Sequence, residues 1–337
     1  MNQFMIVGGG ISGLIAAHIL KDLGVDFAGL EPSGDLAMHF PLSTVNVFQE
    51  QTLDALSSIL SEQAWVRDDV APSFRAKGNW VPAGPTDNPE SENYWLHSPR
   101  WAMAADNLES IRSLSTIIAP SFHCHKKVAK LDIAGKTIHC TDESTFSYEK
   151  IVWCLPLQEL ALVSGNQLAA IAKPLRTLAK PESGFMLEFK CRRFDAPSSL
   201  IVFKFRFKSN HLEAIATISP ADDQGILVQW MVWLPESISE SHEEVAKCVK
   251  SFRRELAKEF DFFSESHEAS RFIFIPAITG ASAITHETLH LFNDLIYFGP
   301  EIHLPSSTSQ ARYLDRLAAN VPFLRETLRT ESISNTL

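Results

Sequence analysis

The hydrophobic positions at the start of the chain predict a strand, a helix and a second strand in close succession. Phe4 to Val7 form an unbroken apolar run, as in a strand that is buried on both faces. The following residues repeat with helical spacing, and the positions expected to face inward are Leu14, Ala17, Ile19 and Leu20. Gly24 ends the helix, and Val25 to Leu30 form the second strand.

The pattern changes several times over the next 130 residues. An amphipathic helix is predicted from Gln49 to Glu62 and another helix from Met103 to Leu114. Between them, residues 66–98 are rich in Pro, Gly, Asn and Asp, which predicts an irregular insertion. From Ser121 to Leu160 the residues alternate between apolar and polar, with turns at Ala134-Gly135 and near Asp142. This predicts a three-stranded meander that leads into a buried strand ending before Pro156.

The second half of the chain is rich in strand patterns and aromatic residues. Four strands are predicted at Phe185 to Phe189, Leu200 to Phe207, Ala214 to Ile218 and Ile226 to Leu234. A charged amphipathic helix follows from Ser239 to Phe262, and then a strand from Arg271 to Ile275, before Pro276. The chain ends with a strand at Leu295 to Phe298 and a helix from Ser307 to Asn320. Ser307 and Gln310 form a capping box there, and Pro322 stops the helix.

These elements predict an α/β fold with two domains. A Rossmann-like nucleotide-binding domain is expected to be discontinuous, because the chain leaves it twice and returns. Its segments are residues 1–65, 98–165 and 280–337. The remaining segments, 66–97 and 166–279, are expected to form a substrate domain of α+β type, built on a mostly antiparallel sheet. A length of 337 residues suits two domains of ordinary size.

Composition excludes several classes of partner. The net charge of −10 offers no electrostatic attraction for nucleic acid or an anionic membrane surface. No apolar run approaches the roughly twenty residues needed to span a bilayer, and the N-terminus lacks the basic start of a signal peptide. The five cysteines are scattered, with no CxxC pair, as expected of reduced thiols in a cytoplasmic protein.

The glycines between the first strand and helix indicate a nucleotide. Gly8, Gly10 and Gly13 give the pattern G-x-G-x-x-G. The first allows a tight turn, the second lets the backbone approach a pyrophosphate, and the third lets helix and strand pack closely. The second strand ends at Glu31, where a carboxylate is placed to accept hydrogen bonds from an adenosine ribose and disfavours a 2′-phosphate. NADP is therefore not the expected ligand.

Three blocks of sequence resemble the FAD-dependent amine oxidase and protoporphyrinogen oxidase-like flavoproteins. They are VGGGISGL with Glu31, KKVAKLD running on to IVWCLP, and NDLIYFGPEIHLPSSTSQARYLDRLAANV. The resemblance implies an FAD cofactor. It places the adenine at the backbone of Val128, the cofactor beside the strand that ends at Cys154, and the flavin ring at the N-terminus of the final helix. The cofactor-binding residues that it implies are Gly8, Gly10, Ile11, Ser12, Gly13, Glu31, Pro32, Val128, Cys154, Glu301 and Ser309.

Two positions depart from the pattern of that family. The family usually has G-G-R shortly after the ribose acid, whereas this chain reads EPSGDLAMHFPL, with no arginine before Arg67. The family's Gly-Asp in the third block corresponds to Pro300-Glu301. Proline lacks a backbone N–H, and glutamate is longer than aspartate by one methylene.

Histidines supply three other candidates for chemistry. His286 to His290 matches H-E-x-x-H, a zinc motif when it lies on a helix, but the strand predicted from Leu295 leaves little room for one, so no metal is expected. His123 and His125 have strand spacing, which suits either a metal pair or a solvated strand face. His39 falls where the missing arginine would be. It either binds cofactor phosphate or substrate, or has no such role.

Aromatic and basic residues alternate along the strand from Leu200 to Phe207. Phe203, Phe205 and Phe207 share one face, while Lys204, Arg206 and Lys208 share the other. The aromatic face, together with Trp230 and Trp233, either fills the core of the second domain, which is the default, or lines an apolar substrate cavity. The basic face, with Lys190 nearby, invites comparison with the lysine that some amine oxidases place near the flavin. A solvated strand face is the simpler interpretation.

The resemblance implies an FAD-dependent oxidoreductase that transfers a hydride from a small, apolar or aromatic substrate to the flavin. Flavin chemistry needs little from protein acids, because the cofactor carries the redox step, and no catalytic residue is predicted. Two alternatives are a flavin-dependent isomerase or mutase and a degenerate flavoprotein that acts as a binding or scaffold subunit. The two departures from the family pattern favour the second alternative. The sequence gives no prediction of oligomeric state.

Overall fold

Two large β-sheets dominate the part of the chain that the structure describes. The computed structural model describes residues 3–34, 36, 65–68, 73–76, 78–82, 100–103, 115–168, 182–192, 194–197, 200–220, 225–260, 269–279, 290–292, 294–299 and 313–333.

The strands and helices are numbered along the described chain. The strands are β1 (Phe4–Val7), β2 (Phe27–Leu30), β3 (Trp65–Asp68), β4 (Ser73–Ala76), β5 (Asn79–Pro82), β6 (Arg100–Met103), β7 (Phe122–His123), β8 (Val128–Asp132), β9 (Thr137–Cys140), β10 (Thr145–Ser147), β11 (Lys150–Trp153), β12 (Glu182–Cys191), β13 (Leu200–Phe207), β14 (Asn210–Pro220), β15 (Ile226–Leu234), β16 (Ala269–Thr279), β17 (His290–Phe292) and β18 (Leu295–Tyr297). The helices are α1 (Ile11–Asp22), α2 (Leu157–Ser164), α3 (Glu236–Ser239), α4 (His242–Glu259) and α5 (Tyr313–Ile333).

The first sheet has six strands in the order β17-β18-β11-β1-β2-β7. Its strands are parallel except for β17, which runs antiparallel to β18. All four residues of β1 are buried, because the strand lies between β2 and β11 and is covered on both faces. Helix α1 packs against α5, and Arg325 and Asp22 form an ion pair between them at 3.3 Å. The predicted strand–helix–strand start and the α/β fold class are confirmed.

The predicted meander is also confirmed and forms its own three-stranded sheet, in the order β10-β9-β8. Lys136 and Glu143 have positive φ angles of 48° and 68°, one in each tight turn between the strands. The chain then enters the first sheet as β11, next to β1.

The second large sheet has seven strands in the order β16-β12-β15-β14-β13-β4-β5, and all its pairs are antiparallel except β13 with β4. The four predicted strands of this region are present, and α4 covers one face of the sheet. Buried Phe252 of α4 lies against Phe203, Phe205 and Trp230, with ring centroids 4.8 to 6.2 Å apart. Because the helix covers these rings, the predicted aromatic face is core.

Two prolines lie inside elements that they were predicted to end. Strand β16 runs through Pro276 to Thr279, and helix α5 runs through Pro322 to Ile333. In the described sheet β16 is an edge strand, and its register with β12 shifts between Glu182 and Gly184, so a missing N–H is tolerated at Pro276. Pro322 lies on the exposed side of α5. Leu324 and Leu328, on the buried side of the same helix, hold it in place.

The region predicted as an irregular insertion contains regular strands. Strands β4 and β5 extend the seven-stranded sheet, and β3 pairs antiparallel with β6. Met103 therefore ends a strand, and the prediction that it begins a helix is wrong. The helix predicted from Gln49 to Glu62, His39 and the capping box at Ser307 lie outside the described residues.

The described helices include none that is long and apolar enough to cross a membrane. The boundaries 1–65, 98–165 and 280–337 for one domain, and 66–97 and 166–279 for the other, stay a prediction.

Candidate nucleotide-binding site

The glycine turn between β1 and α1 has the tight geometry that its sequence predicts. Gly8 has a φ angle of +105°, which disfavours any residue with a side chain. A Cβ atom added to Gly13 would lie 1.8 Å from the carbonyl oxygen of Gly8. Only glycine at both positions therefore lets the helix begin directly against the end of the strand.

Gly10 is the exposed residue of this turn, and no described residue fills the space in front of it. A Cβ atom built on Gly10 meets no described atom within 4 Å, while Gly8 and Gly9 are buried. Gly10 is also the N-cap of α1, and no side chain caps the helix in the described structure. The positive end of the helix dipole and its first-turn amides are therefore directed toward an approachable surface. Ile11 and Ser12, which follow, have buried side chains.

Glu31 is a buried carboxylate that is held by hydrogen bonds. It is 5% exposed and lies directly after β2. Its Oε2 atom accepts from the backbone N–H of Gly9 at 2.5 Å. Its Oε1 atom accepts from the backbone N–H and the hydroxyl of Ser33 at 2.9 and 2.6 Å. These bonds offset the cost of burying the carboxylate.

Gly9 contacts Glu31 directly and was missed by the sequence interpretation. A Cβ atom on Gly9 would lie 2.8 Å from Oε2 of Glu31 and 2.5 Å from Cδ2 of Leu36. A side chain here would displace Leu36 and the carboxylate of Glu31, so glycine leaves the carboxylate room to reach the turn. The run of three consecutive glycines was the available signal, since the motif itself asks for glycine only at its first, third and sixth positions.

The segment from His123 to Val128 is hydrogen-bonded to the residues around Glu31. The backbone N–H of Glu31 donates to the His123 carbonyl, and that of Lys126 donates to the Glu31 carbonyl at 2.8 Å. Val128 then begins β8 and is buried. The structure thus brings Glu31 and the start of β8 together, as the resemblance implied. Pro32 is exposed and lies in the loop that these hydrogen bonds hold.

The two histidines of this segment do not share a strand face. Strand β7 ends at His123, and His125 has a left-handed φ angle of 60°. The His123 ring packs on Phe146 at 5.1 Å, whereas the His125 ring lies against Gly34. The prediction that both histidines project from one face of a strand is therefore wrong, because the chain turns after His123.

Cys154 lies at the end of β11, beside the glycine turn. Its backbone N–H donates to the Val7 carbonyl at 2.9 Å, and its own carbonyl carbon would lie 3.5 Å from a Cβ atom on Gly8. Burial raises the pKa of the Cys154 thiol, so the group stays protonated and is a poor nucleophile. Its contribution to a site here is through the backbone and its small size.

The chain returns to the same edge of the sheet after β18. The backbone N–H of Phe298 donates to the Trp153 carbonyl at 2.9 Å, so residues beyond Phe298 start where β1 and β11 end. In a parallel sheet this carboxyl edge is where ligands bind. Glu301 and Ser309, the two implied cofactor residues of the final block, lie outside the described residues.

The seven-stranded sheet separates the two tryptophans that were grouped by sequence. Trp230 belongs to the aromatic core under α4, whereas Trp233 packs on the opposite face with Met186 and Met231. On that opposite face Gln229 donates to the Glu188 carboxylate at 2.7 Å. Lys204 and Arg206 are exposed and Lys190 is exposed as well, in keeping with a solvated basic face.

The described residues do not support the zinc hypothesis. His290 begins strand β17, whereas the motif requires a helix, and His286 lies outside the described residues. Within the described ranges, no group of three or more His, Cys, Asp or Glu side chains is arranged to hold a metal ion.

The residues around the glycine turn fit the adenosine and pyrophosphate portion of a dinucleotide. Among the described residues, the space at Gly10 is open to a ligand, whereas a side chain at this position would fill it. The uncapped start of α1 suits an anion such as pyrophosphate. A carboxylate has about four lone-pair positions, of which three are used at Glu31, so Oε2 retains about one acceptor position for a ligand hydroxyl.

Solved structures with the same fold exist, although sequence comparison finds no relatives. No protein-family model matches the chain, and no curated protein matches it. An oxidoreductase from Methanosarcina mazei is 13% identical with a TM-score of 0.65, over 96% of this chain and 99% of that one. The 2,6-dihydroxypyridine-3-hydroxylase from Arthrobacter nicotinovorans is 15% identical with a TM-score of 0.54, over 98% and 84%. A Klebsiella pneumoniae HpxO variant complexed with FAD is 12% identical with a TM-score of 0.54, over 98% and 81%.

These likenesses show the fold. One of the three, the HpxO variant, is complexed with FAD. None of the three is described as an amine oxidase or a protoporphyrinogen oxidase, so the likeness to that particular family stays a prediction.

Proposed function

We propose that this protein is an FAD-dependent oxidoreductase. The observation that carries the proposal is the pairing of the glycine turn with Glu31, whose buried carboxylate reaches the backbone of Gly9. A glycine turn that served packing alone would not need a carboxylate directed into it. The same pairing provides an anion site and a ribose acceptor side by side, which is the requirement of an ADP moiety.

Each residue of the site has a definite task in this proposal. Gly10 admits the pyrophosphate, the start of α1 stabilises its charge, and Glu31 accepts a ribose hydroxyl. The start of β8 at Val128 borders the adenine. The carboxyl ends of β11 and β18 border the flavin, with Cys154 small enough to allow close approach. Glu301 and Ser309 are proposed to complete the site, as the resemblance implies.

The bound flavin would supply the redox chemistry, by accepting a hydride from the C–N or C–C bond of a small, apolar or aromatic substrate. The substrate domain would position that substrate and exclude water. The apolar row of Met186 and Met231 beside the Glu188–Gln229 pair supports a substrate with an apolar body and one polar group. A cytoplasmic location and the domain division given above belong to the same proposal.

A second candidate, monooxygenation, is supported by the likeness to a hydroxylase. The two reactions differ in the fate of dioxygen, since an oxidase releases it as hydrogen peroxide and a monooxygenase transfers one atom to the substrate. Turnover under ¹⁸O₂ separates them, because only the second puts the label in the organic product. An isomerase would turn over anaerobically without net bleaching of the flavin.

The direct test of the proposal is retention of FAD by the purified protein. Incubation with excess FAD followed by desalting should leave a yellow protein with flavin absorption maxima. A protein that remains colourless would favour the alternative of a degenerate binding or scaffold subunit.

A further inference from the structure

We propose that Ser33 is a positioning residue that sets the selectivity of Glu31 for an unphosphorylated adenosine ribose. This inference rests on the proposed ADP-binding function and assigns a role to a residue outside the glycine motif. Ser33 lies two residues beyond Glu31 and donates twice to the same carboxylate oxygen, from its backbone N–H at 2.9 Å and from its hydroxyl at 2.6 Å. The oxygen atom Oε1 is thereby saturated.

The backbone of Ser33 is itself held in place. Its carbonyl accepts from the His125 backbone N–H at 3.0 Å, and the Glu31 carbonyl accepts from the Lys126 N–H at 2.8 Å. Two backbone hydrogen bonds therefore anchor the loop on either side of Pro32. Because the loop is anchored, the Ser33 hydroxyl is presented to Glu31 with little freedom, and the carboxylate is fixed in one rotamer.

Saturation of Oε1 leaves Oε2 as the oxygen that faces a ligand. Oε2 already accepts from Gly9 and retains about one lone-pair position, which matches a single ribose hydroxyl donor. A 2′-phosphate has acceptor oxygens and negative charge but offers no donor at neutral pH, so a fixed carboxylate repels it. Without the Ser33 hydroxyl, Glu31 would have freedom to turn aside, and this repulsion would weaken.

The chain contains a matched control for this arrangement. Ser144 donates its hydroxyl to Oδ1 of Asp142 at 2.6 Å and its backbone N–H at 3.2 Å, again from two residues beyond the carboxylate. That pair lies in the turn between β9 and β10, where Asp142 is exposed. Ser144→Ala therefore removes the same kind of hydrogen bond at a place where no ligand is proposed.

The experiment measures the affinity of the wild-type protein, Ser33→Ala, Ser33→Thr and Ser144→Ala for ADP-ribose and for 2′-phospho-ADP-ribose, by isothermal titration. The wild type should prefer ADP-ribose. Ser33→Ala should bind ADP-ribose about threefold to tenfold more weakly, as expected for loss of one ordinary hydrogen bond that positions the carboxylate without touching the ligand, and its preference for ADP-ribose over the phosphorylated probe should narrow. Ser33→Thr should restore both, since it keeps the hydroxyl, and Ser144→Ala should match the wild type.

The outcomes separate this inference from the proposed function. A wild-type protein that binds neither probe nor FAD contradicts the proposed function. A wild type that binds, together with a Ser33→Ala protein of unchanged affinity and unchanged preference, contradicts the role of Ser33. Equal losses in Ser33→Ala and Ser33→Thr also contradict it, because threonine retains the donor. Thermal unfolding of all four proteins shows whether the variants are folded.

Discussion

The Oε2 atom of Glu31 accepts a hydrogen bond from the backbone N–H of Gly9 at 2.5 Å, across 22 residues of sequence. This contact ties the end of β2 to the turn that precedes α1. It makes the anion-binding turn and the ribose-binding acid one structural unit. A change at either residue is therefore expected to be felt at the other.

Alanine at Gly10 should weaken ADP binding, whereas alanine at Gly13 should lower the stability of the protein. Gly10→Ala places a methyl group where it meets no described atom within 4 Å, so the protein should keep its stability but lose at least about tenfold in ADP affinity. Gly13→Ala places its Cβ 1.8 Å from the Gly8 carbonyl oxygen, so it should unfold more easily, by about 1–3 kcal/mol or more. Urea unfolding and ADP titration of both variants check this. Equal ADP affinity in Gly10→Ala and wild type would contradict a ligand at Gly10.

Glu31→Gln should weaken FAD binding by at least about tenfold. The amide keeps the shape of the side chain but has one acceptor oxygen in place of two, so either Gly9 or Ser33 loses its partner. Fluorescence quenching during FAD titration measures the effect. Glu143→Gln, at an exposed turn position, is the control and should bind FAD as the wild type does. Unchanged FAD affinity in Glu31→Gln would show that the carboxylate is not part of the binding site.

The start of the fold could be predicted from sequence because each of its signals is local. The apolar run of β1, the helical spacing of α1 and the stop at Gly24, whose φ angle is +69°, need no information from elsewhere in the chain. The meander was equally accessible, since its turns lie within a few residues of the strands that they join.

The features that were missed depend on contacts between distant segments. Pro276 was expected to end a strand and Pro322 a helix. The edge position of β16 tolerates Pro276, and the burial of the opposite face of α5 outweighs the local preference at Pro322. The hydrogen bond from Lys126 to Glu31 follows from the pairing of β2 with β7, which no local pattern specifies. The hydrogen bond from Gly9 to Glu31 follows from the pairing of β1 with β2. The division of Trp230 and Trp233 between two faces, by contrast, was predictable locally, because they lie three residues apart in one strand whose side chains alternate.

Phe252→Ala should destabilise the protein by about 3–5 kcal/mol, because the ring is fully buried among the aromatic residues of the seven-stranded sheet. Urea unfolding measures the loss. Phe323→Ala in α5 removes the same side chain at a position that is 42% exposed, and it should cost much less. Similar losses in the two variants would argue against an aromatic core beneath α4.

Asp142 should contribute to stability at neutral pH and lose that contribution in acid. Hydrogen bonds from Lys126 and Ser144 lower the pKa of Asp142 from 3.8 to about 2. A carboxyl with a lowered folded-state pKa stabilises the fold above its unfolded pKa, and the benefit disappears as the pH falls through about 2. The melting temperature of Asp142→Asn should therefore lie below that of the wild type at neutral pH and converge with it in acid.

Lys126→Met provides the control for that prediction, because it removes the main cause of the lowered pKa. In the Lys126→Met background, the further change Asp142→Asn should lower the melting temperature at neutral pH by less than it does in the wild type, because only the hydrogen bonds from Ser144 remain. A gap between wild type and Asp142→Asn that stays constant down to acid pH would contradict the assigned cause.

The central claim is that an ADP moiety binds at the glycine turn beside Glu31, and the most direct measurement is the absorption spectrum of the protein after FAD loading and desalting. The account predicts flavin maxima at near one FAD per chain, with much less retained by Gly10→Ala. A folded wild-type protein that emerges colourless and gives no heat of binding with ADP would contradict it.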